Sequence, residues 1–430
     1  MKNFHDELLI KIIDAISVED GKLAIHDKLF VAERWGTVVL SELLEEEGYQ
    51  KKFEGIRYLW YPQQLVPIFS PPFYEIFKEL KIEGNISFEK FKEKTDCQIE
   101  KIKTDVTPKK YRFLYPVRLE YSSPPEKIES DGITVEFKIY DDIKEIFAEK
   151  KLSEELSEYL TNYSNSFTPS SYQYLEVSVY ARNLWFAEKK ATRLAQLTIS
   201  IFAYIQNYGK MTRTFIGPSK EITNLDLEII FAFSGEGFEG FLFKTTKLGN
   251  KRHNFSTEQI GYVNDIIKVY KNSHSSIQDN IEDGFISFHS GLTESRSGYA
   301  FLNFWTAAEI FCLKNESVKE SQIIKRLMSP MKEKSEIVKH ELSRLYRIRN
   351  YIVHNADYSL ATEYDRNLMQ FYIEPFIAFF IQNLHNFHRI QIEKIFQYLD
   401  ESDENLIKDK ELIDFVTNLR KKKEPEPYAT

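Results

Sequence analysis

Near its C-terminal end this chain places an arginine where a helix should bury leucines. The stretch EIVKHELSRLYRIRNYIVHNA spans residues 336–356. On a helix turning about 100° per residue, Leu342, Leu345 and Ile352 lie within roughly 40° of Val338. Arg349 lies about 20° from Val338, in the middle of that stripe. An unpaired guanidinium in an apolar core is very costly, so the side chain must be paired or used. A histidine five residues on, His354, suggests use.

The chain around it is long enough, at 430 residues, for two or more domains. Its hydrophobic content of 42% and charged content of 28% fit an ordinary globular protein. The net charge of −8 argues against a surface coated in basic charge for nonspecific nucleic-acid binding, and leaves room for a local basic groove. Cys97 and Cys312 cannot build a disulfide framework, and neither has a metal-type spacing. A reducing, cytoplasmic setting is expected. The opening MKNFHDELLIKIIDAI reads as an amphipathic helix with acidic residues, unlike a signal peptide. No run of about 18 apolar residues occurs. The nearest, residues 371–384, carries Glu374 and Pro375, so no membrane span is expected.

The predicted fold class is α+β, a mixed N-terminal region followed by an all-α bundle. Residues 1–105 read as helices with irregular connections: LLIKIIDAI, VVLSELLEEEG (38–48) and FYEIFKELK are helix-like, and 61–72 is a proline-punctuated loop. From 106 to 255 the pattern changes. Residues 112–121, 133–142 and 172–181 alternate and are rich in β-branched and aromatic side chains, as strands are. A helix is expected over 183–208, and 227–245 reads as a hairpin turning at Gly235–Gly237. After a join at 251–256 strand signals vanish. Helices are expected over 256–273, 278–291, 297–314, 318–329, 333–354, 360–388, 391–399 and 406–420. The division is therefore 1–255, a mixed α+β region, then 256–420, a helical domain, and a polar tail at 421–430.

Within the helical part, Arg349-Asn350-Tyr351-Ile352-Val353-His354 resembles the Arg-Asn-x-x-x-His motif of ribonucleases in the HEPN superfamily. The helix GYAFLNFWTAAEIFCLKN (298–315), apolar nearly all round except for Glu309, is similar to the first long helix of Apea-like HEPN domains. The resemblance covers roughly 278–400. It implies RNA cleavage without metal or cofactor, in which the 2′-OH attacks its neighbouring phosphate. His354 would be the general acid or base, Arg349 would hold the phosphate, and Asn350 would orient one of them. Glu309 and Arg347 would support the site. Relatives of this kind serve bacterial antiphage defence by abortive infection, often cutting transfer RNA. The resemblance further implies a homodimer, because such sites are built across two HEPN domains, and a phage-derived trigger acting on 1–255.

Two readings stay open beside it. On an unbroken helix His354 lies about 140° from Arg349, so either the helix unwinds before His354 or a partner subunit completes the site. Arg347, within about 20° of His354, is the substitute arginine at the Arg-x6-His spacing. The alternative makes Arg349 and Glu309 a structural ion pair, in a non-catalytic module that dimerises, binds nucleotide or RNA and acts through a protein partner. Elsewhere, His385 and His388 stand three apart without a third ligand. SGEGFEG (234–240) lacks a P-loop lysine, and aromatic strands in the middle region are core before they are base platforms.

Overall fold

Strand Lys109–Val117 (β3) is buried on both faces and organises the N-terminal half. The computed structural model describes residues 2–14, 17–19, 22–24, 44, 74–105, 107–121, 123–130, 132–147, 168–182, 184–209, 229–235, 237–243, 253–314, 318–331, 336–399 and 401–421. The expected helix at 38–48, apart from Leu44, and the loop at 61–72 lie outside them. The architecture is α+β, as the sequence predicts.

The first helices are α1 (Lys2–Asp14), α2 (Tyr74–Glu83) and α3 (Phe88–Asp105), with a short hairpin of β1 (Ser17–Glu19) and β2 (Lys22–Ala24). They hold their own apolar cluster, in which Leu9, Ile13, Phe77, Leu80 and Phe91 are buried.

The main sheet has six strands in the order β5-β6-β7-β3-β8-β9. They are β5 (Ile128–Ser130), β6 (Ile133–Lys138), β7 (Gln173–Ala181), β8 (Ile229–Ser234) and β9 (Gly237–Phe243) around β3. Every neighbouring pair is antiparallel. Alternation sends successive side chains to opposite faces. Phe113, Tyr115 and Val117 join the large core, whereas Leu114 joins Tyr174, Phe231 and Phe233 on the far face. That far face is covered by α4 (Tyr140–Phe147). The sequence predicts strand through 142, but Asp141 and Asp142 sit in the first turn of α4. Carboxylates there favour a helix N-terminus, and Asp142 accepts from the backbone N–H of Ile139 at 3.3 Å.

On the inner face lies α5 (Leu184–Asn207), presenting Ala187, Ala191, Leu194, Ala195 and Phe202 to the sheet side of the core. The hydroxyls of Tyr115 and Thr192 are 3.1 Å apart. The other side of α5 meets the helical bundle. Tyr204 packs edge-on to Phe285 and Phe288, and Arg193 donates to Glu282. At the expected join, His253–Phe255 forms β10, which pairs parallel with β4 (Leu119–Tyr121). One apolar core therefore runs unbroken from Tyr111 to Phe396 across the join. Strands of three residues such as β5 and β10 are too short to leave a periodic signal, and the run predicted over 112–121 divides at Arg118 into β3 and β4.

The bundle comprises α6 (Thr257–Asn272), α7 (Ser275–Thr293), α8 (Ser297–Phe311), α9 (Glu320–Met328), α10 (Glu336–Asn355), α11 (Glu363–Asn383), α12 (Arg389–Tyr398) and α13 (Asp403–Lys421). Each matches an expected helix within a few residues. Capping boxes at Ser256 and Thr362 fix two of the starts. Helix α8 is the central rod, with Ala300, Phe301, Phe304, Trp305, Ala307, Ala308 and Phe311 buried. Helix α7 lies close along it because Gly284 faces the Phe311 ring and Gly291 the Phe304 ring.

A methyl added at Gly284 would overlap the Phe311 ring. Gly284→Ala is expected to lower the free energy of unfolding by about 1–3 kcal/mol, as overpacked cores do. Urea unfolding of the two chains checks this, and an unchanged midpoint would refute the close packing of α7 on α8.

Candidate functional site

The site grows from the contact between α8 and α10. Helix α10 buries Leu342, Leu345 and Ile352, and Arg349 rides in the same stripe with its side chain 20% exposed. The cation is paired. Its Nη2 lies 3.1 Å from Oε1 of Glu309 and 3.3 Å from Oε2. Its Nη1 donates to Oδ1 of Asn350 at 3.1 Å, so Asn350 orients the guanidinium.

Glu309 is the hub. Its side chain is 14% exposed and sits at the end of an otherwise apolar helix. Trp305, one turn earlier, donates its indole N–H to Oε1 at 2.8 Å, and Lys314 donates to the same oxygen at 2.7 Å. One carboxylate thus faces two cations, Arg349 and Lys314. The cluster carries a net positive charge at the surface end of the α8–α10 seam, a setting suited to an anion.

Helix α10 is held in register by further bonds on its other side. Arg344 pairs with Asp365 on α11 at 2.6 Å, and Tyr372 donates to Glu341. Burial works to raise the Asp365 carboxyl. Bonds from Thr362 and the Arg344 guanidinium outweigh it and hold the group below its ordinary range.

His354 lies in the last turn of α10 and is exposed. The helix does not unwind before it: the backbone stays helical to Asn355, and Ala356 closes it with φ 54° and an N–H bond to Ile352 O at 2.8 Å. Of the two routes left open, a break in the helix before His354 is therefore not the one taken. His354 lies about 7.5 Å further along the axis and about 140° around. Arg347 shares the exposed face of His354, but about 10.5 Å away along the axis. One chain thus brings together Arg349, Asn350 and Glu309, and leaves His354 and Arg347 on the open side.

Sequence reasoning missed Trp305 and Lys314. Trp305 is four residues before Glu309, the spacing that puts two side chains on one helix face, and was legible. Lys314 lies just past the helix end, where no spacing rule points. His385 and His388 were a conceivable metal pair. Here His388 caps α12, its Nδ1 accepting from the backbone N–H of Ile390 at 3.2 Å, and its ring packs on His274. No helix among the described residues is long and apolar enough to cross a membrane. No protein-family model, curated protein or solved structure matches this chain.

Replacing Glu309 leaves two cations facing each other in a partly sealed seam. Glu309→Gln is expected to cost about 1–3 kcal/mol of stability. Adding Arg349→Met should recover part of it, because the two residues are coupled. A double-mutant cycle in urea measures this, and additive effects would show that the pair does not interact.

Proposed function

We propose that this chain is a metal-independent endoribonuclease of the HEPN type, an effector of antiphage abortive infection. The observation that carries the reading is the Arg349–Asn350–Glu309–Lys314 cluster, with its surplus positive charge and a solvent-facing imidazole on the same helix. A clamp for phosphate and a group for moving protons are what transesterification of RNA needs.

In the proposed reaction His354 takes the proton of a ribose 2′-OH. The freed oxygen attacks the adjacent phosphorus, and the bond to the 5′-oxygen of the next nucleotide breaks as that oxygen gains a proton. The ends are a 2′,3′-cyclic phosphate and a 5′-OH. Arg349 holds the non-bridging oxygens through its planar fork, where charge builds in the transition state. Asn350 and Glu309 keep that fork aimed. DNA lacks the 2′-OH and is inert to this route. Because α10 is unbroken, the arginine and the histidine serve one phosphate when two chains meet, so the working unit is a homodimer. The region before residue 256 holds the enzyme off until a phage-derived product releases it, since an unrestrained ribonuclease would injure its host. Transfer RNA is the proposed substrate class.

A second reading has its own support. The Arg349–Glu309 pair is also what a purely structural ion pair looks like, and a bundle with a surplus positive seam can bind RNA or nucleotide without cutting it.

Purified protein incubated with total RNA in EDTA is expected to yield fragments ending in cyclic phosphate. His354→Ala should slow cleavage by about 100-fold or more, and Arg349→Ala likewise, with Arg347→Ala near wild type. RNA left intact by the wild-type chain rejects the enzyme, and loss of activity in Arg347→Ala alone moves the arginine role to that residue.

Mixing the Arg349→Ala and His354→Ala chains tests the shared site. A mixed dimer keeps one intact arginine–histidine pair if the two come from different chains, so activity should return on mixing. No recovery would place both groups within one chain.

A further inference from the structure

A second arginine lies on an apolar helix stripe. On α11, Arg366 falls within about 20° of both Ile373 and Ile377, which are fully buried. Arg366 itself is 8% exposed. Its Nε has no hydrogen-bond partner and its guanidinium makes no ion pair among the described residues. The comparable arginines are all matched. Arg326 donates to the carbonyl of Cys312 and lies over the Phe396 ring, Arg344 pairs with Asp365, and Arg349 pairs with Glu309. Burial pulls the pKa of Arg366 down, offset in part by Glu363 and Glu294. Glu363 is exposed. Glu294 is already engaged by Arg296, through Nε at 3.0 Å and Nη2 at 2.9 Å, and those bonds draw its carboxyl down to about 2. The positive charge of Arg366 is left without a counter-charge of its own. Only its Nε is sealed without a partner, so the terminal nitrogens are the part that reaches outward.

Glu294, whose charge acts on Arg366, also anchors Arg296 at the head of an aromatic stack. The Arg296 guanidinium lies 3.8 Å from the centre of the Tyr299 ring. Tyr299 and Tyr358 stack at 3.9 Å with planes 3° apart. The Arg296 side chain is 64% exposed, so its plane is open to solvent. Tyr358 is pinned from below, since Gly298 touches its carbonyl so closely that no Cβ fits between. Tyr358 follows His354 by four residues, just past the end of α10. Arginine planes and aromatic rings are what unstacked bases stack on, and a buried guanidinium without a partner is a vacancy for a phosphate.

We propose that Arg366 and the Arg296–Tyr299–Tyr358 stack form a nucleotide subsite for the RNA strand, Arg366 taking a backbone phosphate and Arg296 a base. This deepens the ribonuclease reading and rests on it for the identity of the strand. The subsite lies beyond the His354 end of α10, where it fixes a nucleotide outside the bond that is cut.

The test is fluorescence anisotropy with the full chain and a labelled 2′-O-methyl RNA dodecamer, which cannot be cleaved by 2′-oxygen attack. Arg366→Met is expected to weaken binding by about tenfold or more and to flatten the salt slope by about one. Its urea midpoint should hold or rise, because an unpaired buried charge has been replaced by an apolar chain. Arg296→Ala, at an exposed position, should weaken binding by about threefold or more. Unchanged affinity in both variants overturns the subsite. So does a falling urea midpoint in Arg366→Met together with wild-type affinity in Arg296→Ala, which makes Arg366 structural. Displacement of the dodecamer by equimolar AMP overturns the assignment to a strand. Cleavage of unmodified RNA is scored separately. Cleavage by wild type with unaltered dodecamer binding in the variants rejects the subsite and keeps the nuclease. Arg366-dependent binding without any cleavage rejects the nuclease and keeps the subsite.

Discussion

The carboxylate of Glu309 is the pivot of the bundle. It ends a helix whose other faces are filled with rings and alanines, and it lies against a second helix whose apolar stripe contains an arginine. Neither charge tolerates that place alone. Together, with Lys314 and the Trp305 indole N–H on the same carboxylate, they satisfy each other at the rim of the core. Removing one member of such a group is worse than removing both, because the survivor keeps its desolvation and loses its attraction. The register of α10 on α8 follows, since a one-residue slip would rotate Arg349 about 100° off the carboxylate and expose Leu345 and Ile352. The Arg344–Asp365 pair on the opposite side enforces the same register against α11.

Much of this was legible from the residues. The helical half announced itself through long periodic stripes, and each of its helices formed within a few residues of expectation. The hairpin at Gly235–Gly237 formed because glycine at Gly237 accepts φ 112°, which the turn requires. What stayed hidden has physical causes. Strands of three residues carry too few side chains to show alternation. The parallel ladder between His253–Phe255 and Leu119–Tyr121 joins segments more than a hundred residues apart, and nothing local encodes it. The strand predicted through 142 yielded to a helix because two aspartates favour a helix start.

At the site, the wheel located Arg349 correctly and named its partner, yet did not choose between a structural and a chemical role. The reason is general. A cation on an apolar stripe reports only that something negative must come near it, whether a neighbouring carboxylate or a substrate phosphate. Arg349 has its carboxylate, shared with a second cation. Arg366 has no ion pair among the described residues, only the more distant charges of Glu363 and Glu294. Judged by that criterion alone, Arg366 is the stronger indicator of an external anion, although no motif drew attention to it.

The unbroken end of α10 carries the remaining weight. Had the helix frayed before His354, one chain could have folded the imidazole back toward Arg349. Instead the backbone bonds run on to Asn355, with Ala356 closing the turn, and the two side chains point away from each other by about 140°. Undoing the last turn would give up several backbone bonds to bring one ring around, while a second chain meeting the exposed face gives up none. A straight helix therefore turns the proposed chemistry into a question of assembly: on that reading, the proton carrier for the phosphate that Arg349 would hold comes from a second chain.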